Sequence, residues 1–157
     1  MNITEAIAQQ VLEAHEGNNW TEVDLAHTLR DVTLAEATTQ TAASPNTIAG
    51  LVRHLTYWNR LMVRRTHGQA TAVGPANGFE GPTLRSEAEW AALCADALAS
   101  GRELAAAVRS FPESRLTEPI MPKYSSAYKN LHGAVEHLHY HLGQLVLLKT
   151  LVRQQPA

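Results

Sequence analysis

A single cysteine, Cys94, stands in 157 residues, so an internal disulfide and a Cys-rich zinc site are both excluded and a reducing compartment suits the chain. An excess of one charge is missing too. Thirteen Lys and Arg against fifteen Asp and Glu leave a net charge of -2, which offers no general attraction to phosphate backbones or anionic lipid. Neither a nucleic acid nor a membrane is therefore expected as a partner. No apolar run approaches the ~20 residues of a membrane-spanning helix; Leu145 to Leu148 is far shorter. The stretch Met1 to His15 has neither the basic n-region nor the apolar h-region of a secretory signal, and the expected location is the cytoplasm. Alternating β-branched runs are lacking on both sides of the one hairpin-like dipeptide, Asn77-Gly78, which favours an all-α fold. There is no G-x-S-x-G elbow, P-loop or G-x-G-x-x-G, and Cys94 lies in an alanine-rich stretch without a His partner. Serine, phosphate-loop and cysteine chemistry are disfavoured accordingly.

What remains fits a single globular domain spanning residues 1–157, and four long helices can be traced in it. Ile3, Ala6, Ile7, Val11 and Leu12 fall at helical spacing in a first helix that Gly17 and Asn18 stop. Thr21 with Asp24 and Thr33 with Glu36 have capping-box spacing, so one or two short helices are expected within 22–40, as a long crossover. Ser44-Pro45 is a cap followed by a tolerated first-turn proline, and predicts a second long helix running to about His67-Gly68. On its wheel Thr47, Leu51, His54, Trp58 and Leu61 share one stripe, with Arg53, Asn59, Arg60 and Arg64 largely elsewhere. Gly and Pro punctuate a loop from Gln69 to Pro82. Ser86 with Glu89 opens a third helix, ending near Ser110, whose buried side includes Trp90, Leu93, Ala97, Leu98, Leu104 and Val108. Pro112, Pro119 and Pro122 exclude regular helix until Tyr124, and the proline-free chain from Ser125 to about Arg153 is the fourth helix. The architecture expected is a four-helix bundle, in which buried positions on facing helices are the usual place for a metal site.

The anomaly in composition is histidine: there are eight, and His132, His137, His139 and His141 fall within ten residues. His137 and His141, four apart, stand ~40° apart around the axis and one turn along it, so both rings can reach one ion. His139 is ~160° to 200° from either and His132 lies on another face, so packing or surface roles are expected for both, with an approach to the site mouth left open. His54, inward on the second long helix, is the third candidate if the two helices face each other at ~8 to 10 Å. His15, His27 and His67 read as exposed or half-buried polar residues. Gln144, Tyr140 and Trp58 are the neighbouring candidates for orienting a ligand or lining a pocket, and Glu136, ~100° from His137, is at most an outer carboxylate. Three neutral imidazoles would leave a divalent ion its full charge and an open position. That coordination lowers the pKa of a bound water or thiol, with no HExxH glutamate to serve as base. A non-catalytic bundle, with the same histidines bracing helix packing in an interaction or stress-response role, is the alternative reading.

The segment from Ser44 to Arg65, SPNTIAGLVRHLTYWNRLMVRR, and the segment LHGAVEHLHYHLGQLVLLKTL from Leu131 resemble the DinB-like superfamily, which includes the YfiT-like metal-dependent hydrolases. The likeness runs in order through nearly the whole chain. It implies a four-helix bundle holding a divalent metal, zinc or nickel, through one His in an HL-x-x-W segment and two in an H-x-x-x-H-x-G-Q segment. Those positions are His54, four residues before Trp58, and His137 and His141, followed by Gly143 and Gln144. The resemblance further implies a homodimer and a small-molecule substrate. Some relatives transfer low-molecular-weight thiols such as bacillithiol or mycothiol to electrophiles, so a thiol co-substrate and a thiol S-transferase or hydrolase activity are the expectations it adds. Fold alone names no reaction.

Overall fold

The computed structural model describes residues 2–70 and 72–154. Its helices are α1 (Ile3–Glu16), α2 (Leu25–Leu29), α3 (Leu34–Thr38), α4 (Ile48–Thr66), α5 (Glu87–Arg109) and α6 (Ala127–Arg153), with a short 3-10 turn at Glu113–Arg115. No strand occurs among the described residues. The four long helices α1, α4, α5 and α6 form the bundle, and α2 and α3 lie in the crossover between α1 and α4. Helix α5 packs on α1 and α4, and α6 closes the bundle against the same two.

Local chemistry accounts for where the helices begin. The Asn2 side chain accepts from the Glu5 amide to start α1, and Gly17 ends it at a φ of 115°, a conformation costly for any side chain. Thr33 and Glu36 form the full reciprocal capping box expected for α3. The pair Thr21 and Asp24 does not. The Thr21 hydroxyl donates to Asn19 Oδ1 at 2.6 Å, and Asp24 itself caps α2 by accepting from the His27 amide. The start expected at Ser44-Pro45 also moves. The Ser44 hydroxyl accepts from the Asn46 amide in a local turn, and Thr47, accepting from the Gly50 amide at 3.1 Å, is the cap of α4. Ser86 caps α5 as expected, but the Glu89 carboxylate reaches one residue further back, to the Arg85 amide.

Two apolar clusters divide the interior. One gathers Leu25, Ile48, Leu51, Val52, Leu55, Trp90, Leu138, Leu142, Leu145 and Leu148; the other gathers Ile7, Val11, Met62, Leu104, Val108, Phe111, Leu131 and Val135. Each fully buried Leu contributes about 1.5–3 kcal/mol, so the clusters fix the helix registers. On three of the long helices a polar or amphipathic side chain falls in sequence between the two: Trp58 and Asn59 on α4, Ser100 on α5 and His137 on α6. His54, between Val52 and Leu55, and His141, between Leu138 and Leu142, lie instead within the run of the first cluster. No described helix is long and apolar enough to cross a membrane.

Candidate metal centre

His54 from α4 and His137 and His141 from α6 converge across the helix pair. Nε2 of His137 lies 3.0 Å from Nε2 of His54 and 3.0 Å from Nε2 of His141, and one ligand atom from each ring falls within 4.8 Å of the others. Each remaining nitrogen has a defined environment. Nδ1 of His54 donates to the Asn77 carbonyl at 2.6 Å, and Nδ1 of His141 donates to Gln144 Oε1 at 2.6 Å. A carbonyl oxygen only accepts, so in both neutral rings the proton is fixed on Nδ1 and the Nε2 lone pair is turned inward. His137 lines a cavity, and among the described residues nothing bonds its Nδ1.

The charge state follows from burial. Desolvation lowers the pKa of all three rings and outweighs the Asn77 bond at His54 and the Gln144 bond at His141, both of which favour the proton. His137, desolvated and facing two other imidazoles, is held down to about 4. All three rings are therefore neutral near pH 7. One N–H on His137 Nε2 cannot serve two lone pairs at once, whereas a divalent cation satisfies three. Nitrogens at 2.0–2.1 Å from an ion stand roughly 3.0–3.4 Å apart, and the two 3.0 Å separations fit that spacing. This donor set could hold a metal ion.

The loop between α4 and α5 supplies partners that the sequence reading did not assign. Asn77 and Gly78 have φ values of 50° and 79°, a tight turn laid against α4. A Cβ at position 78 would stand 2.5 Å from Tyr57 Cβ, so only glycine admits that approach. Asn77 then works twice, its carbonyl on His54 and its side-chain oxygen accepting from Trp58 Nε1 at 3.0 Å. Phe79 stacks on the His54 ring at 4.1 Å between centroids. The Asn-Gly dipeptide was the available signal; without flanking strands it pointed to no particular partner.

The other candidates separate cleanly. Gln144 touches His141 directly, and Trp58 borders both His54 and His137. Tyr140 is 64% exposed, its ring tilted against His141 at 4.9 Å. His132 stacks on Tyr128 and faces Glu136 at 3.4 Å, and His139 Nδ1 donates to the Val135 carbonyl, so neither turns to the centre. His27 and His67 are exposed, as expected. His15 is not: it is 1% exposed, with Nδ1 donating to the Val11 carbonyl and Nε2 accepting from Asn59. Asn59, expected off the buried stripe, is buried because it serves that ring and Ser100 Oγ. Burial pushes the Cys94 thiol up to about 12, which removes it as a nucleophile.

Two cavities border α4. The larger, about 730 Å³, lies toward α5 among Arg53, Arg60, Glu80 and Asp96 and does not include the histidines. The smaller, about 240 Å³, is bounded by Trp58, Met62, Arg65, Asn130 and His137. Chemistry rather than size picks out the second, because of the two only it is lined by one of the convergent rings, His137.

A family model describing the DinB superfamily matches residues 19–145, a span that contains all three histidines. No curated protein and no solved structure matches the chain significantly.

Proposed function

This chain belongs to the DinB superfamily, and we propose that it is a metal-dependent enzyme in which His54, His137 and His141 hold a divalent ion, Zn²⁺ or Ni²⁺. The substrate is a small electrophilic molecule, attacked by a water or a low-molecular-weight thiol. The observation that carries this reading is the pair of Nδ1 protons fixed by Asn77 and Gln144, which leaves two lone pairs aimed at a third imidazole 3.0 Å away. When bound, such an ion supplies Lewis acidity and lowers the pKa of a coordinated water or thiol toward neutrality.

The chain's own residues have distinct parts in this scheme. Asn77 and Gln144 orient the rings, as hydrogen-bonded outer partners of ligating histidines do. Trp58 anchors the Asn77 turn and walls the cavity through which His137 is approached, and Tyr140 stands at the outer rim of His141. Thiol transfer is favoured over hydrolysis by what surrounds the rings. The group that could hold an ion contains three histidines and no carboxylate, and Glu136 is turned to His132. A thiol with an ordinary pKa near ~8.5 needs less help to ionise than water near ~15.7. The cavity at His137 favours a reacting site over a purely bracing one. Assembly as a homodimer belongs to the same proposal, with the exposed apolar side chains Tyr140, Val146 and Leu147 of α6 as the surface offered.

Metal analysis of the purified protein without a His tag tests the first step, with one divalent ion per chain expected. Metal-loaded protein given a panel of thiols with monochlorobimane, beside a panel of esters and amides, tests the second. Metal-dependent thiol conjugation is the expected result; a protein free of metal after exposure to zinc and nickel overturns the reading.

A further inference from the structure

Arg65, in the last turn of α4, is 7% exposed. A buried guanidinium normally carries a carboxylate with it, because an isolated charge in the interior is expensive. Several arginines follow that rule even at the surface: Arg60 pairs with Asp96 and Glu103, Arg102 with Glu16, Arg109 with Glu5, and Arg153 with Asp31 and Glu36; those without a carboxylate, such as Arg30, Arg53 and Arg64, are not buried as Arg65 is. Arg65 has no acidic partner among the described residues. Its Nε is buried without a hydrogen bond, and its Nη1 meets only Met62 Sδ at 3.8 Å. The charge is held between two aromatic rings, Trp58 at 5.5 Å and Tyr124 at 4.9 Å, which relieve part of the desolvation but supply no counter-charge.

Arg65 also lines the 240 Å³ cavity whose wall includes His137. We propose that this cavity is an anion subsite in which Arg65 receives the carboxylate of a small organic acid, with the remainder of the molecule directed toward the three-histidine centre. A carboxylate matches the planar fork of a guanidinium through two parallel N–H···O bonds. The site holds a single cation, walls of Trp58 and Met62, and two amides, Asn130 and the Asn59 already bonded to His15 and Ser100, which suits a monoanion with an apolar body better than a phosphate. The volume lies below the roughly 300–1,000 Å³ of sites for drug-sized ligands, so the acid is a short one. This assignment deepens the enzymatic reading and rests on it for the direction in which the acid points, but the carboxylate contact itself needs no metal.

Butyrate, butyramide and inorganic phosphate, each titrated by calorimetry into metal-free protein and into zinc-loaded protein, distinguish the possibilities. Saturable butyrate binding at least tenfold tighter than butyramide or phosphate is expected in both forms. In Arg65→Met, which keeps the volume and removes the charge, the preference for butyrate over butyramide disappears; in Arg65→Lys it survives at reduced affinity. Arg65→Met is also expected to melt no lower than the wild type, since it removes a buried unpaired charge, and circular dichroism checks that it is folded. Equal binding of acid and amide by the wild type overturns the subsite, as does an Arg65→Met protein that retains the preference in the metal-free form. Tighter phosphate than butyrate overturns the choice of anion. Failure to load zinc with the butyrate preference intact overturns the catalytic reading and leaves the subsite standing.

Discussion

Two histidine groups inside the bundle are wired in opposite ways. At His15 both ring nitrogens are taken by protein atoms, Nδ1 by the Val11 carbonyl at 2.7 Å and Nε2 by Asn59 Nδ2 at 2.9 Å, and Asn59 is in turn tied to Ser100. The ring fills its space so closely that a Cβ on Gly101 would stand 2.5 Å from it. At His54 and His141 one nitrogen of each ring is taken and the other is turned toward another imidazole. Burial lowers the proton affinity in both groups, so neither burial nor titration tells them apart. The difference lies in how many nitrogens the protein satisfies. A core histidine is complete within the chain, whereas the second group has lone pairs that only something from outside can satisfy.

The largest expected effect comes from truncating each group. His137→Ala or His141→Ala should abolish stoichiometric zinc binding while changing the melting temperature of the metal-free protein little, because it relieves crowded lone pairs. His15→Ala should do the reverse: metal stoichiometry of one per chain, and a loss of about 2–4 kcal/mol of stability from the cavity and the stranded Asn59 and Val11 groups. Metal analysis and denaturant unfolding on the same preparations read both. Zinc retained at full stoichiometry by both ligand variants would dissolve the contrast.

A smaller effect sharpens it. Gln144→Ala removes the acceptor that fixes the His141 tautomer, and loss of such a partner weakens metal affinity by about 10–100-fold. Gly101→Ala drives a methyl into the His15 ring and should cost about 1–3 kcal/mol of stability with zinc affinity unchanged. Competition against a chromogenic chelator measures the first and thermal melting the second; an unchanged zinc affinity in Gln144→Ala would mean that the bond seen at 2.6 Å does not tune the site.

Much of this was legible in the sequence, for physical reasons that also mark where reading stops. Helix punctuation by Gly17, the Thr33–Glu36 box, Ser86 and the prolines from 112 to 122 gave the four long helices nearly to their ends, because caps are local. The start of α4 was misplaced by three residues since Ser44 and Thr47 are equally good caps, and only the turn that Ser44 makes with Asn46 decides between them. The four-residue spacing of His137 and His141 placed two rings on one face, and the inward stripe of α4 added His54. Position on a wheel cannot report a partner from a loop, so Asn77 and Phe79 escaped, and it cannot separate a satisfied His15 from an exposed one. Arg65 was invisible for the same reason: nothing in a run of arginines at 64 and 65 says which is enclosed by Trp58 and Tyr124.

The smallest expected effect is a pH dependence that isolates the completed histidine. Desolvation is the leading cause of the lowered His15 pKa, ahead of the bond to Val11 and the nearby Glu16, which both favour the proton, and of Arg102, which opposes it. The folded state therefore takes up this proton less readily than the unfolded chain, whose histidine titrates at its ordinary 6.5. Above that value both states are neutral at position 15 and the full stabilisation is present. Below it the unfolded state is protonated first, and stability falls as the pH falls, by at most about 1.4 kcal/mol per unit for this one group. Replacing the ring by a neutral side chain, His15→Gln, removes that slope. In chelator-treated protein the three site histidines contribute equally to both chains and cancel in the difference. The stability gap between wild type and His15→Gln, measured in urea, should therefore be widest at pH 7.5 and narrow steadily toward pH 5. A gap that stays constant would mean that the folded ring accepts its proton as readily as the unfolded one. Nε2 would then not be committed to Asn59, and the first histidine group would be as incomplete as the second.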